Sequence, residues 1–187
     1  GRIKRVYLEP EDCKAPPEAL KALEEADLVV LGPGSLYTSV LPNLLVKDIR
    51  EKLKELDVPC IYVCNIMTEP GETDEFDVVD HLQALIDHIG AGIVDVVVAN
   101  KQEISDELLE RYAQEGSYPV RGNAASVEWL GVKYVEEDLL QEGETIRHDP
   151  DRLARILLRL LFSLKPMGER IALVDSYLLS QKLRKES

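Results

Sequence analysis

The chain has 187 residues, 45% of them hydrophobic, and a formal net charge of −13. This size fits one globular domain with a sizeable core, and the acidic charge argues against nucleic acid or an anionic membrane as the main partner. The sequence has no long apolar span for membrane insertion, and its three cysteines form neither a C-x-x-C pair nor an even set. We therefore expect free thiols and a cytoplasmic protein.

The first segments predict a strand, a helix and a second strand. The side chains of residues 3–8 fall into two alternating sets, Ile3, Arg5 and Tyr7 against Lys4, Val6 and Leu8, which predicts a strand. Pro16 and Pro17 then open a helix. Residues 28–31 are a continuous apolar run, which is typical of a strand covered on both faces of a parallel sheet.

A glycine-rich turn and a helix start follow this apolar strand. Their residues are Gly32, Pro33, Gly34, Ser35, Leu36, Tyr37, Thr38 and Ser39. Glycine lets the backbone approach a ligand, and hydroxyls at a helix N-terminus can bond an anion, so the stretch predicts a phosphate site. Glycine and serine can equally serve only a turn and a cap. Tyr37 either stacks on a base or fills the core.

Beyond this turn, helical and strand patterns alternate. Pro42 and Asn43 are expected to break the first helical piece. The predicted helices cover residues 46–56, 78–89, 105–113 and 150–163, and the predicted strands cover residues 60–64, 93–98, 118–120 and 132–134. The alternation predicts an α/β, Rossmann-like layered fold with a mainly parallel sheet and helices on both faces.

Polar residues follow the other predicted strands. Asn65 and Asn100 come at strand ends, and both either face a ligand or only hold turns. Glu72, Thr73 and Asp74 precede a helix, where they either contact ribose, base and phosphate or form an ordinary N-terminal cap. Parallel strands would bring these residues and the glycine turn to one edge of the sheet.

The sequence offers no catalytic residue or metal site that we can assign. No Ser-His-Asp or Cys-His arrangement stands out. His81 and His88 lie two turns apart on one predicted helix, about 10 Å, which is too far for one metal ion. His148, beside a helix start, is interpreted as a local hydrogen-bonding residue.

Two longer strings carry a family resemblance. GPGSLYTSVLPNLLV (residues 32–46) closely resembles a signature of the gluconeogenesis-factor (YvcK) branch of the CofD-like family. CNIMTEPGETD (residues 64–74), followed by DHLQAL (residues 80–85), resembles the second signature of that branch. The resemblance extends over residues 3–148.

The resemblance implies a regulatory protein that binds a UDP-sugar such as UDP-N-acetylglucosamine and acts in carbon metabolism, cell-wall synthesis and cell shape. The phosphates would lie on residues 32–35, near Thr38 and Ser39, and Asn65, Glu72, Thr73 and Asp74 would flank the same ligand. The alternative is a CofD-like, magnesium-dependent transfer of a phospholactyl group from a guanosine diphosphate donor. CofD transferases have a turn more like GPSNPxTSIxPIL, and Gly34-Ser35-Leu36-Tyr37 replaces its centre here.

Relatives of this kind are longer and carry a GGGTG-like loop and a DDGG-like acidic segment that this chain lacks. We therefore expect residues 1–166 to be the C-terminal part of a nucleotide-binding domain and residues 167–187 to be a helical extension. The extension would pack on its own core or on a partner's, and we expect a homo-oligomer. A third possibility is a structural half that binds nothing alone.

Overall fold

The protein folds around one parallel sheet. A computed structural model describes residues 3–141 and 143–165. The sheet has the order β1-β2-β3-β4 and every neighbouring pair is parallel, so all four carboxyl ends lie at one edge. The strands are β1 (Val29–Leu31), β2 (Cys60–Val63), β3 (Val96–Asn100) and β4 (Lys133–Glu137).

Seven α-helices are found in the described part of the chain. They are α1 (Pro17–Glu24), α2 (Leu41–Leu45), α3 (Lys47–Glu55), α4 (Val78–Ile89), α5 (Asp106–Gln114), α6 (Ala124–Trp129) and α7 (Pro150–Leu164). A single π-helical turn, Leu36–Val40, precedes α2. The sequence predicts both ends of α4 correctly, because Asp77 and Asp80 form a capping box at its start and Gly90, with φ of 91°, ends it.

Two apolar clusters place helices on both faces of the sheet. Side chains of β2 alternate, so that Tyr62 packs in one cluster with α4 and Ile61 packs in the other with α7. Every residue of β2 and β3 is buried, which explains their continuous apolar sequences. The predicted α/β layered fold with a parallel sheet is therefore confirmed. No described helix is long and apolar enough to cross a membrane.

The prediction of a strand over residues 3–8 is wrong. Among the described residues this segment has no ladder partner, and the Val6 backbone N–H donates instead to Nε2 of His88 on α4 at 3.1 Å. Ile3 and Val6 pack against the apolar cluster on the α4 side. The segment thus packs on the apolar cluster through Ile3 and Val6, which belong to opposite sets of the alternation, and is not part of the described sheet.

Three local predictions also need correction. Pro42 and Asn43 do not break a helix but lie inside α2. Pro42 occupies the first turn, where a backbone N–H would have no partner within the helix, so its missing N–H costs no helical hydrogen bond. Residues 118–120 form only an isolated bridge between Met67 and Pro119. Val30 of β1 is 37% exposed, so this strand is not covered on both faces by the described residues.

Two further differences concern elements rather than single residues. Helix α6 was not predicted from the sequence; its six residues are capped by the Asn123 side chain, which accepts from the Ser126 N–H. The predicted helix and extension over residues 167–187 lie outside the described residues.

Candidate ligand-binding cleft

A cleft of about 570 Å³ opens at the carboxyl edge of the sheet. The glycine turn (residues 32–35) contributes Pro33 and Gly34 to its wall, and the loop after β2 contributes residues 65–70. The rest of the lining comes from residues at and just after the end of α5 and from residues 146–148, directly before α7. In open α/β sheets this edge is where ligands bind.

The glycine turn follows β1 and packs closely against β2. Gly32 has φ of 82°, and a Cβ atom there would lie 2.9 Å from the backbone oxygen of Val63. The Ser35 carbonyl accepts from the N–H groups of Ser39 and Val40, at 2.9 and 3.0 Å, and so starts the π-helical turn. These contacts fix the backbone that faces the cleft.

Four predicted residues beyond the turn do not line the cleft. Leu36 is completely buried, and Tyr37 is 4% exposed. The ring of Tyr37 packs edge-on against Phe76 and His88, so it fills the core. Thr38 and Ser39 are exposed, and Ser39 borders an adjoining cavity of about 250 Å³ that shares Pro33 and Gly34 with the cleft.

The loop after β2 brings Asn65 into the cleft wall and uses Thr73 and Asp74 for its own structure. The Thr73 hydroxyl accepts from the Glu69 N–H at 2.8 Å, and Asp74 Oδ1 accepts from the Gly71 N–H at 3.0 Å. Thr73 is completely buried. Of the predicted site residues, the structure therefore places Pro33, Gly34 and Asn65 together in the cleft wall, while Thr73 and Asp74 stabilise the loop beside it.

Glu69 connects this loop to the glycine turn. Its Oε1 accepts a 2.7 Å hydrogen bond from the Ser35 hydroxyl, and Glu69 also lines the cleft. Glu72 is half-buried and does not line the cleft. Burial, followed by the charge of Glu69 and a hydrogen bond with it, raises the pKa of Glu72. Glu69 is not among the predicted site residues, although it lies inside the second signature string.

Asn100 is used internally. Its side-chain oxygen accepts from the N–H of Leu139 at 3.1 Å and from that of Gln102 at 3.3 Å, and its amide donates to the Gln102 carbonyl. The residue is 7% exposed. Asn100 therefore joins the end of β3 to the segment after β4. Of its two predicted roles, facing a ligand or holding a turn, these bonds match the second.

The remaining lining of the cleft contains residues that sequence reasoning did not assign to a ligand site. Its polar members are Tyr112, Glu115, Ser117, Arg147 and His148. Residues 147 and 148 lie well beyond the end of β4 at Glu137, shortly before α7, so the strand-end rule that drew attention to Asn65 does not single them out. Tyr112, Glu115 and Ser117 reach the cleft only because the end of α5 lies beside it in the folded chain.

His148 is more than the local hydrogen-bonding residue expected from its position. It lines the cleft, and its Nε2 atom is buried with no hydrogen-bond partner among the described residues. Burial lowers its pKa, although a backbone hydrogen bond at Cys64 acts in the opposite direction. The ring is consequently uncharged near neutral pH.

The two buried cysteines, Cys60 at the start of β2 and Cys64 just after its end, are unreactive thiols. Cys60 and Cys64 are buried, and desolvation raises the pKa of each to about 12. A thiol with that pKa supplies no thiolate near pH 7. Within residues 3–141 and 143–165, no three His, Cys, Asp or Glu side chains converge so as to hold a metal ion.

Comparison with known proteins places the chain in a family. The sequence model of the family described as 2-phospho-L-lactate transferase CofD matches residues 1–140. The gluconeogenesis factor of Bacillus subtilis is 40% identical over 161 residues, which are 86% of this chain and 51% of that protein. The gluconeogenesis factor of Halalkalibacterium halodurans is 43% identical over 158 residues, 84% of this chain and 49% of that protein.

A solved structure agrees with this relationship. A crystal structure of a UPF0052-family protein from Bacillus halodurans has a TM-score of 0.81 and 43% sequence identity, and the match covers 84% of this chain and 50% of that one. The chain thus spans about half the length of the relatives that it matches. Its fold, its strand-end cleft and the family match over most of its length agree, and the chain belongs to the gluconeogenesis-factor branch of the CofD-like family.

Proposed function

We propose that this chain carries the phosphate-binding part of a UDP-sugar site, of the UDP-N-acetylglucosamine type, in a regulatory protein. The observation that supports the proposal is the meeting of the glycine turn, Asn65 and Arg147 in one cleft. Its volume of about 570 Å³ lies in the range of small-molecule sites, about 300–1,000 Å³.

Each group has a physical reason to face such a ligand. Gly34 has no side chain between its backbone and the cleft, so a phosphate oxygen can come close. Arg147 is the only Arg or Lys among the described residues that line the cleft, and a guanidinium binds phosphate oxygens through two N–H groups. The Asn65 amide can both donate to and accept from sugar hydroxyls.

The remaining predicted site residues keep a supporting role in this proposal. Leu36 and Tyr37 anchor the turn in the core, and Thr38 and Ser39 form the start of the helical segment behind it. Glu72, Thr73 and Asp74 shape the loop that presents Asn65. Any magnesium would accompany the nucleotide, and no catalytic residue is proposed.

The wider role that we propose follows the family. The protein would act in carbon metabolism, cell-wall synthesis and cell shape, in the cytoplasm and as a homo-oligomer. The cytoplasmic assignment is supported by the three free cysteines. Residues 1–166 would form the C-terminal part of the nucleotide-binding domain, followed by an extension over residues 167–187.

The alternative is a CofD-like transferase that uses a guanosine diphosphate donor and magnesium. The description of the matching family model, 2-phospho-L-lactate transferase, favours it. Both functions place a diphosphate at the glycine turn, so they differ in the nucleotide base and in whether a group is transferred.

Calorimetric titration of this chain with UDP-N-acetylglucosamine and with GDP tests the proposal. We expect preference for the UDP-sugar, with the Bacillus subtilis relative as the full-length reference. Gly34→Asp should abolish binding because it places negative charge against the phosphates, whereas Gly34→Ala, which adds only bulk, should weaken it less. Preference for GDP in the full-length reference, or binding by Gly34→Asp equal to wild type, would contradict the proposal.

A further inference from the structure

The outer edge of strand β4 takes no part in the proposed ligand site. Strand β4 comes last in the order β1-β2-β3-β4, and within the described residues only β3 pairs with it. The Lys133 N–H donates to the Asp95 carbonyl at 2.9 Å, and the Glu137 carbonyl accepts from the Lys101 N–H at 3.0 Å. Residues 133, 135 and 137 therefore direct their backbone groups at β3.

Tyr134 and Glu136 turn their backbone groups the other way. The N–H and C=O of one residue in a parallel ladder point to the same side, and this side alternates along the strand. The backbone groups of these two residues thus face away from the sheet, and no hydrogen bond from the described part of the chain reaches them. Such unpaired groups are a template for another strand.

A second copy of β4 complements this edge. In an antiparallel pair with a twofold axis at Val135, Tyr134 lies opposite the partner's Glu136, so the outward N–H and C=O groups of both residues bond each other. Lys133 then lies opposite the partner's Glu137, and Val135 lies opposite the partner's Val135. Opposite charges and apolar pairs that face each other stabilise paired strands.

The two charged residues are free to make these contacts. Lys133 is exposed and has no ion pair among the described residues. Glu137 already pairs with Arg159 of α7, but a carboxylate has enough lone pairs to accept from a second cation. Charges on an edge strand usually discourage pairing, whereas here each one meets its opposite.

Neighbouring registers of the same pairing fit less well. An axis at Glu136 places it opposite the partner's Glu136, and like charges directly opposite each other are destabilising. An axis at Tyr134 places Lys133 opposite the partner's Val135, so the charge gains no partner. The charge pattern of β4 thus selects the register that is centred on Val135.

The other edge of the described sheet offers less. Strand β1 has only three residues, and the Val29 N–H donates to the Pro59 carbonyl, so only Val30 directs its backbone groups outward. Beside β4, by contrast, Trp129 ends α6 three residues before the strand begins and is 87% exposed. A large apolar side chain that a second copy could cover therefore lies next to the β4 edge.

We propose that the outer edge of β4 is a dimer interface, in which two copies of this chain continue one sheet across a twofold axis at Val135. The interface is isologous, so each contact occurs twice. The inference rests on the homo-oligomer of the proposed function, for which it names the surface, and it does not depend on the proposed ligand.

Sedimentation equilibrium of the whole chain provides the first test and should show a dimer. Glu136→Pro removes an outward N–H and keeps the bonds to β3, so it should raise the dissociation constant of the dimer by about tenfold or more. Glu136→Ala keeps this N–H and should weaken the dimer less. Val30→Pro removes the outward N–H at the edge of β1 and is the matched control, which should leave the dimer unchanged.

A charge exchange tests the register without changing the backbone of β4. Lys133→Glu and Glu137→Lys should each weaken self-association, because each places like charges opposite one another. An equimolar mixture of the two variants should recover the dimer, since both facing pairs then carry opposite charges. Lys21→Glu, on the exposed surface of α1, changes the net charge equally and should have little effect.

The outcomes separate this interface from the rest of the proposed function. A wild-type chain that stays monomeric would overturn both the interface and the homo-oligomer. A dimer that Glu136→Pro leaves unchanged, or that the mixture of charge variants fails to restore, would overturn the interface and keep the homo-oligomer. The mixing test decides if circular dichroism shows that Glu136→Pro has lost its fold, and the calorimetric titration tests the ligand separately.

Discussion

A Cβ atom on Gly32 would lie only 2.9 Å from the backbone oxygen of Val63, so β1 and β2 converge where the glycine turn begins. Gly32 also has φ of 82°, a region that residues with a side chain rarely adopt. This closeness holds the turn against the strand that leads to Asn65. The two parts of the cleft wall are thus joined by backbone packing as well as by the Ser35–Glu69 hydrogen bond.

Gly32→Ala should lower the free energy of unfolding by about 1–3 kcal/mol, because it adds both backbone strain and a clash with a backbone atom. Gly34→Ala is the matched comparison. Its Cβ would lie 3.3 Å from the Ser39 Cβ and needs only a small shift, so its loss should be smaller. Urea denaturation of both variants measures the difference, and equal losses would contradict this account of the turn.

Helix α4 should depend on its cap. The Asp77 side chain accepts from the Asp80 N–H at 2.8 Å, so Asp77→Ala should cost about 1 kcal/mol of unfolding free energy. Ser105 holds the same position before α5 but makes no side-chain capping bond. Ser105→Ala should therefore change stability by less than about 0.5 kcal/mol. Thermal denaturation of the pair checks the prediction, which fails if Ser105→Ala is the more damaging change.

The two strand-end asparagines should behave differently. Asn100→Ala leaves the buried Leu139 N–H without its acceptor and should lower the unfolding free energy by about 1–3 kcal/mol, with ligand affinity largely kept. Asn65→Ala should reduce affinity for the UDP-sugar and cost little stability. Denaturation and calorimetry on both variants separate the roles, and a reversed pattern would mean that Asn100 rather than Asn65 serves the ligand.

Acid should destabilise the protein through His81. The side chain is completely buried, its Nδ1 lies 2.7 Å from the Asp77 carbonyl, and burial lowers its pKa. A lowered pKa means that the folded state binds the proton less readily than the unfolded chain. The stability contributed by neutral His81 is therefore present above about pH 6.5 and lost as the pH falls below it.

His81→Asn keeps a donor near the Asp77 carbonyl and removes the titration. Its unfolding free energy should therefore change less than that of wild type between pH 7 and pH 5. Imidazole NMR should place the His81 midpoint below 6.5 in wild type. An ordinary midpoint, or equal acid sensitivity in the variant, would contradict the prediction.

The sequence by itself determined the architecture and the edge of the sheet at which the candidate cleft lies. The continuous apolar runs of β2 and β3 required burial on both faces, and Asp77 and Gly90 set the ends of α4 through local backbone chemistry. Such signals are readable because they depend on residues close in the chain. The glycine turn and Asn65 were found in the same way, since each directly follows a strand.

Only the tertiary structure decided which polar residues face the cleft. Tyr37, Thr73 and Asn100 carry groups suited to a ligand, yet packing and hydrogen bonds in the folded chain give each an internal partner. Arg147 lines the same cleft as residues 65–70, and Glu69 bonds Ser35. In both cases the residues that meet are more than 30 positions apart in the chain. Local patterns report what a side chain can bond, whereas the folded chain determines which partner is near enough to bond it.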